Sequence, residues 1–459
     1  MKMNKKGLGS VEFSSTMNPL NEGFIWAKKQ ALAYAHNEEC ENGLWYEAAL
    51  PGRNAYCIRD VAHHAYGAAI LGLTSHTKNM LLQFAKNISQ SKDYCTYWEI
   101  TGDGTPCPDD YISDKEFWYN LPGSFELIIA CFHQYLWTGD EDYISHPMFL
   151  RYYQLTCNEF VKQWDKDLDG ILEHYASYGN RGLASYNECG TDILTAGDMI
   201  AVQYAGYGCY AAILKEDGKE KEAEEYLKKQ KQMKEIYLTQ WYSEKEKKFY
   251  GAMMPDRTFG EAYYKEGNFL PIYFGILDGE NTLQDALNQL KENGVDNVEG
   301  ASYLPKVYYD HGENEMGYEA LLYLCKDDLY RKEYPEVSYA LVGSVGNQLM
   351  GLWVNEDKHI ITCPRLPGDK EEARISHVPV LQNMITIYHK GNYFTELTNE
   401  SPKELLWKAV FVGSYEEARI DGEVVRFSHE KDNLLRETSY LLLLVAGKET
   451  RSVEIVGKD

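Results

Sequence analysis

Three stretches of the chain set acidic side chains beside groups able to tune them. The first, Pro51-Gly52-Arg53-Asn54-Ala55-Tyr56-Cys57-Ile58-Arg59-Asp60, runs directly into the small-residue segment Val61–Leu73. An Asp at a helix N-terminus caps free N–H groups and favours the helix dipole, so Asp60 has a structural explanation. Arg59 does not: a cation there opposes the dipole and needs a pocket carboxylate or the vicinal hydroxyls of a sugar. The second stretch, Asn187-Glu188-Cys189-Gly190-Thr191-Asp192, is expected to open the longest inner helix after the Tyr- and Gly-rich loop 174–187. At a buried helix start, desolvation and a neighbouring charge would raise the pKa of Glu188 or Asp192, as a general acid requires. The third is Arg331-Lys332-Glu333-Tyr334-Pro335-Glu336-Val337-Ser338-Tyr339. Glu336, in a first helical turn after Pro335, suits the second carboxylate of an inverting glycoside hydrolase, which stands about 6.5–9.5 Å from the first and activates water. Glu333 and Glu313 are the other candidates for that base, and helix capping is the competing explanation for each acid.

Weaker signals surround these. Trp118-Tyr119-Asn120 and Asn268-Phe269 begin two further inner segments and suit sugar contact, and His311-Gly312-Glu313 is expected on the same rim. Of His63 and His64, one should face the ring's interior and the other pack. The segment Trp164-Asp165-Lys166-Asp167-Leu168-Asp169-Gly170 opens like a calcium loop, but Ala176 stands where the bidentate Glu belongs, so a solvated turn is expected and no metal.

The elements that must position these residues follow from periodicity. From residue 20 to about 352, apolar faces of period 3.6 recur over 20–36, 59–73, 76–90, 118–138, 147–164, 192–215, 219–240, 267–277, 281–293, 312–325 and 336–352. Small, apolar segments such as Ala65–Leu73 and Val202–Leu214 alternate with charged ones such as Lys219–Lys234, which predicts an inner and an outer layer of helices. Connections from outer to inner helix are long (37–58, 91–117, 165–190, 241–266), and long structured loops usually carry function. After Trp353 period-two strands take over: His359–Cys363, Val380–Tyr388, Tyr393–Thr398, Leu405–Val412, Val424–Phe427 and Thr438–Leu444. A mainly α chain is expected, with an (α/α)6 toroid over 1–352 and an antiparallel β-sandwich over 353–459.

Composition narrows the function classes. A chain of 459 residues exceeds the ~250–300 at which single cores stop growing, which suits two unequal domains. Its net charge of −24 repels phosphate backbones and anionic lipid, so neither nucleic acid nor membrane is an expected partner. No apolar run reaches the ~18 residues of a spanning helix. Met1 to Ser15 carries Lys2, Lys5 and Lys6 without an apolar stretch to follow, so no secretory signal is read and a cytoplasmic protein is expected. Ten cysteines without a CxxC pair argue for reduced thiols rather than zinc or disulfides. The 37 tyrosines and 9 tryptophans offer flat faces with polar tips, suited to sugars where they do not simply pack between helices.

On these motifs the chain resembles the six-hairpin glycosidase superfamily, whose members have an (α/α)6 barrel and include glucoamylases, trehalases and α-L-rhamnosidases. Tyr56-Cys57-Ile58-Arg59-Asp60 looks like the Arg-Asp motif with which glucoamylase-like enzymes hold the terminal sugar, which implies that role for Arg59 and Asp60. Glu188-Cys189-Gly190-Thr191-Asp192 is similar to the Glu-Ser-Gly-x-Asp segment of trehalase-like enzymes, which implies Asp192 as general acid. Their base, a Glu near the start of the closing helix, implies Glu336 or a near neighbour. Cys363-Pro364-Arg365-Leu366-Pro367 and Ile385-Thr386-Ile387-Tyr388-His389 look like the sandwich of rhamnosidase-related proteins. Three features depart from the pattern. Ile193-Leu194-Thr195 replaces the Arg and aromatic that follow the trehalase acid, the amino-terminal β-domain common in these families has no counterpart, and no inner helix is recognisable near 295–312.

The expectation is thus an exo-acting, inverting glycoside hydrolase that needs no cofactor and takes an oligosaccharide or glycoside. Two rivals stand beside it. One is a toroid epimerase or polysaccharide lyase in which His63, His64 or a Tyr abstracts a carbon-bound proton; the other is a carbohydrate-binding protein without catalysis. Sugar, linkage and oligomeric state are left open.

Overall fold

Helices of the first three-quarters of the chain alternate between two concentric layers. The computed structural model describes residues 8–37 and 42–457; the lysines at 2, 5 and 6 and part of the connection 37–58 lie outside them. In chain order the ring is built from α1 (Asn18–Ala33), α2 (Ile58–Ile70), α3 (Thr74–Lys86), α4 (Pro122–Thr138), α5 (Pro147–Leu155), α6 (Gly197–Glu216), α7 (Glu220–Gln240), α8 (Glu266–Tyr273), α9 (Leu283–Asn293), α10 (Leu304–Asp310), α11 (Asn314–Cys325) and α12 (Pro335–Ser344). Even-numbered helices form the inner ring, and each packs on the next, α10 reaching α12 through the preceding turn Val298–Ala301 and the continuation Val345–Leu349, until α12 returns to α2. The pattern follows the residues: every side chain of α12 is buried, while α7 buries only Ala223, Tyr226, Met233 and Tyr237 along one stripe.

The ring closes on two glycines. A Cβ on Gly67 of α2 would stand 2.1 Å from the Tyr339 carbonyl oxygen of α12, and one on Gly343 would stand 2.9 Å from the Gly67 nitrogen. Backbone meets backbone there, so neither side can yield by rotating a side chain. Gly67→Ala is expected to destabilise the fold by at least the ~1–3 kcal/mol of an overpacked core, read as a drop in thermal midpoint with both helices prised apart. An unchanged midpoint would contradict this closure.

The fifth inner position, invisible in the sequence, consists of a single turn, Val298–Ala301, capped by the Asn297 side chain, and the seven-residue α10 with Pro305 in its first turn. Two short pieces broken at Ser302-Tyr303 present too few turns for a 3.6-residue period to register. The long connections instead carry two- and three-residue strand pairs: Ala55–Cys57 with Glu99–Thr101, and Thr195–Ala196 with Ala252–Met253. They join into a collar around the N-terminal ends of the inner helices.

Two sheets follow. One runs in the order β1 (Glu12–Ser15), β4 (Glu372–Val380), β5 (Asn383–Lys390), β6 (Phe394–Asn399), β12 (Thr450–Ile455), β8 (Glu417–Ile420), β9 (Glu423–Arg426). The other runs β2 (Trp353–Val354), β3 (Ile360–Thr362), β7 (Leu405–Val412), β11 (Glu437–Val445), β10 (Ser428–Lys431). Two expectations are corrected. Helix accounts for 41% of the chain, so mainly α describes the ring rather than the whole. The sandwich is antiparallel except where β3 runs parallel to β7. The sheets pack under the C-terminal ends of the inner helices, where Trp137 Nε1 donates to the Pro379 carbonyl at 2.8 Å and Arg365 meets Asp310 at 3.0 Å. Among the described residues no helix is long and apolar enough to cross a membrane, and the cysteines are free thiols.

Candidate active site

Arg59 is the hub of the ring's collared end. Its guanidinium donates to Glu188 Oε1 and to the Tyr186 carbonyl, each at 2.9 Å, and its Nε lies 3.9 Å from Asp60 Oδ1. Trp98 and Tyr186 cover its two sides, with ring centroids 5.3 and 5.2 Å from Cζ. A planar cation sandwiched in this way keeps one orientation while its fork serves several acceptors. The partner that the unfavourable helix-start position demanded is therefore Glu188, delivered by the loop before α6.

Carboxyls outnumber cations here. Glu336, in the first turn of α12, is 9% exposed, and its Oε2 has no hydrogen-bond partner. Burial, and after it the charge of Asp60, pushes its carboxyl well above the ordinary range. Burial likewise pushes Asp60 up to about 7, against the pull of Arg59 and with the charge of Glu188 adding to the rise. Glu299, on the short helix ahead of α10, adds to both and is itself held by Arg331 at 3.0 Å. Asp60 and Glu336 therefore both hold their protons above the ordinary carboxylate range, beside the guanidinium that Asp60 and Glu188 share.

Below these groups lies an aromatic floor. His63 stacks on Tyr303 at 3.9 Å and its Nε2 pairs with Ser302 Oγ at 2.9 Å; Tyr273 meets Tyr303 edge-on at 4.9 Å. Burial, then Arg59, lowers His63 to about 3, so its ring is neutral. His64 stacks on Tyr339 with neither ring nitrogen hydrogen-bonded, which makes it a packing residue. Asp198, in the first turn of α6, accepts from the Tyr186 N–H and, at 3.2 Å, from Ser185 Oγ, and so fixes the loop that carries Glu188. Glu126 of α4 is 4% exposed; burial pushes it up to about 8, while Tyr186 and Arg59 draw it down. Between its ordinary value of 4.5 and about 8 the folded chain therefore holds a proton that the unfolded chain has lost, and stability falls as pH rises through that window. Glu126→Gln should flatten the fall of thermal midpoint between pH 5 and 9, by up to about 4 kcal/mol at the alkaline end. Parallel melting curves for the two proteins would contradict this.

Several sequence-based expectations are corrected. Asp192 does not open the helix: Glu188–Cys189 and Thr191–Asp192 turn, Thr195–Ala196 pairs as a strand, and α6 begins at Gly197, leaving Asp192 exposed on the loop near Tyr264. Tyr119 is fully buried with its hydroxyl on Ser124 at 2.8 Å, and Asn268 clamps the Tyr264 N–H at 2.6 Å and the Phe249 carbonyl at 2.9 Å. Both are scaffold. Trp118 lies edge-on behind Trp98 at 4.5 Å. His311 ends α10 at the opposite end of the ring, where Asp278 accepts from it at 3.1 Å, and Glu313 beside it pairs with Lys291 at 2.8 Å. Glu333 is exposed, and its carbonyl accepts from the Tyr34 hydroxyl. Glu126, Asp198 and Glu299 went unnoticed in the sequence; the visible signal for the first was a lone acid inside the apolar run Phe125–Phe132.

Two acidic groups among the described residues have ligand atoms within 4.8 Å of one another: Glu99, Cys107 and Asp110, and Asp165, Asp167 and Asp169. In the first, Arg53 supplies the cation, 2.5 Å from Glu99 and 3.4 Å from Asp110. In the second, Asp165 accepts the N–H groups of Leu168 and Gly170, Asp169 that of Ile171, and Asp167 pairs with Arg257 at 2.6 Å, as a self-contained turn does.

No protein-family model matches the chain, and no curated protein matches it in sequence. Solved structures do. The α-L-rhamnosidase of Dictyoglumus thermophilum superposes with a TM-score of 0.62 at 14% identity, over 97% of this chain and 50% of that one. A putative kojibiose phosphorylase from the human microbiome gives 0.59 at 10% identity over 95% and 63%. A glycosidase variant in complex with glucose gives 0.52 at 10% identity over 72% and 98%. The chain spans about half the length of the rhamnosidase it matches. With six inner and six outer helices in sequence among the described residues, a collar of long loops at one end and a sandwich at the other, the chain has the fold of the six-hairpin glycosidase superfamily.

Proposed function

We propose that the chain is an exo-acting glycoside hydrolase that removes a terminal sugar with inversion, and that Glu188 and Glu336 are its carboxyl pair. The observation that carries this reading is the convergence of Glu188, Asp60 and Glu336, from three distant stretches, around Arg59. The names of the solved structures of like fold, which include rhamnosidases, a glycosidase and a phosphorylase, support a saccharide as substrate.

Adjacent on α2, Arg59 and Asp60 offer a donor fork and an acceptor to neighbouring sugar hydroxyls. Glu188 is the outer carboxyl, its side chain 56% exposed, and Glu336 the inner one. In a pocket entered from solvent the leaving group points outward. Glu188 therefore protonates the leaving oxygen, while Glu336 takes a proton from water on the inner side of the sugar. Asp192, on the same loop, is the alternative donor, and Asp192→Asn beside Glu188→Gln separates the two by turnover.

A base must be ionised, and both Asp60 and Glu336 hold their protons into the neutral range. On a substrate found by screening aryl glycosides and oligosaccharides, kcat/KM is expected to fall as pH drops, and to do so well above the range in which an ordinary carboxylate takes up its proton, because the Glu336 carboxyl is held well above that range. Activity flat from pH 5 to 7 (roughly the span over which an ordinary carboxylate is already ionised) and lost only on the alkaline side would overturn the role of Glu336. The rival in which a histidine abstracts a carbon-bound proton is disfavoured, because His63 is lowered to about 3 and makes a weak base.

A further inference from the structure

We propose that the cavity on the far side of the aromatic floor is a second binding site, entered from the end of the ring opposite Arg59, for a neutral polyhydroxylated ligand of monosaccharide size. The cavity measures about 440 Å³, within the ~300–1,000 Å³ of ligand pockets. It begins under His63 and Glu126 and reaches Lys215 in the last turn of α6. Lys215 lies eighteen residues from the start of α6, which at 1.5 Å per residue is about 27 Å along the ring's axis. Lys215 and Glu356 at the lower end are exposed, so the entrance faces solvent on the sandwich side.

The space is made by one stripe of α6. Ala205, Cys209 and Ala212 repeat at helical spacing on the face toward the cavity, and larger residues there would fill it. Opposite stand Tyr66 and Tyr273, partly exposed, with His133 at 5.3 Å from Tyr66. They supply flat apolar faces with polar tips, the combination that suits the C–H faces and hydroxyls of a sugar. At the closed end Glu126 lines the cavity with Oε2 unpartnered, and His63 Nδ1 is unpartnered too. Charge selects a neutral occupant. Lys306 is bound to Asp310 at 2.6 Å and Asp278 to His311 at 3.1 Å, while the rim residues Lys215 and Glu356 have opposite signs.

This inference goes beyond the proposed hydrolysis and is tested by binding alone, so a failure of the hydrolase reading leaves it standing. Crystals soaked in methyl 1-seleno-β-D-glucopyranoside are expected to show an anomalous selenium peak between Tyr66, His133 and Cys209. A peak only beside Arg59, or none, overturns the site. In solution, equilibrium dialysis of radiolabelled D-glucose should give two sites per chain, and Ala212→Trp, at the entrance, should weaken one of them at least tenfold. Glu336→Gln, above the floor, should leave that lower site unchanged. A single site indifferent to Ala212→Trp overturns the proposal as well.

Discussion

Glu336→Gln is expected to lower kcat by about two to four orders of magnitude, the contribution of one acid–base group, without loss of thermal stability at neutral pH. The two halves of the expectation share one cause. Glu336 is held in the first turn of α12 with one oxygen unpartnered and the charge of Asp60 beside it, so its ionised form is costly to the fold. The amide keeps the shape, cannot ionise and cannot take a proton from water. Single-turnover kinetics on the best substrate, with a melting curve beside it, checks both halves. A kcat within threefold of the unaltered chain would remove Glu336 from the chemistry, and a large drop in midpoint would make it a structural residue.

Arg59→Met is expected to have the next largest effect. It removes the cation shared by Glu188 and Asp60 and leaves Trp98 and Tyr186 with nothing between them. Breaking a buried pair by deleting one partner costs about 3–5 kcal/mol, although the exposure of Glu188 places this site toward the lower end. The loss of the proposed substrate grip should appear as a fall in kcat/KM of at least about a hundredfold, most of it in KM, because a grip of that kind holds the sugar in ground and transition states alike. Arg59→Lys should rescue little, because an ammonium cannot hold Glu188 and the Tyr186 carbonyl in one plane while stacked on both sides. Recovery of KM by lysine would show that charge alone matters there.

Much of this was legible in the sequence, and the failures have physical causes. The alternation of apolar and charged helices exposed the double ring because inner helices are buried on every side and outer ones along a stripe. Arg59 stood out because a cation at a helix start needs a partner. Asp192 was misplaced because the start of α6 is set by a long-range contact, Thr195–Ala196 against Ala252–Met253, to which local propensity is blind. Glu299 was missed together with its short helix. Strand β4 escaped because its register shifts between Ile375 and Val378, at a bulge where His377 has φ +59°, which breaks the period-two alternation.

The most direct test of the central claim is proton NMR of the sugar first released from an aryl glycoside or oligosaccharide that the chain cleaves. The expected result is a free sugar whose first-formed anomer is opposite to that of the substrate, with the signal lost in Glu336→Gln. A product of retained configuration, an unsaturated or epimerised sugar, or release that persists in Glu336→Gln would contradict the account.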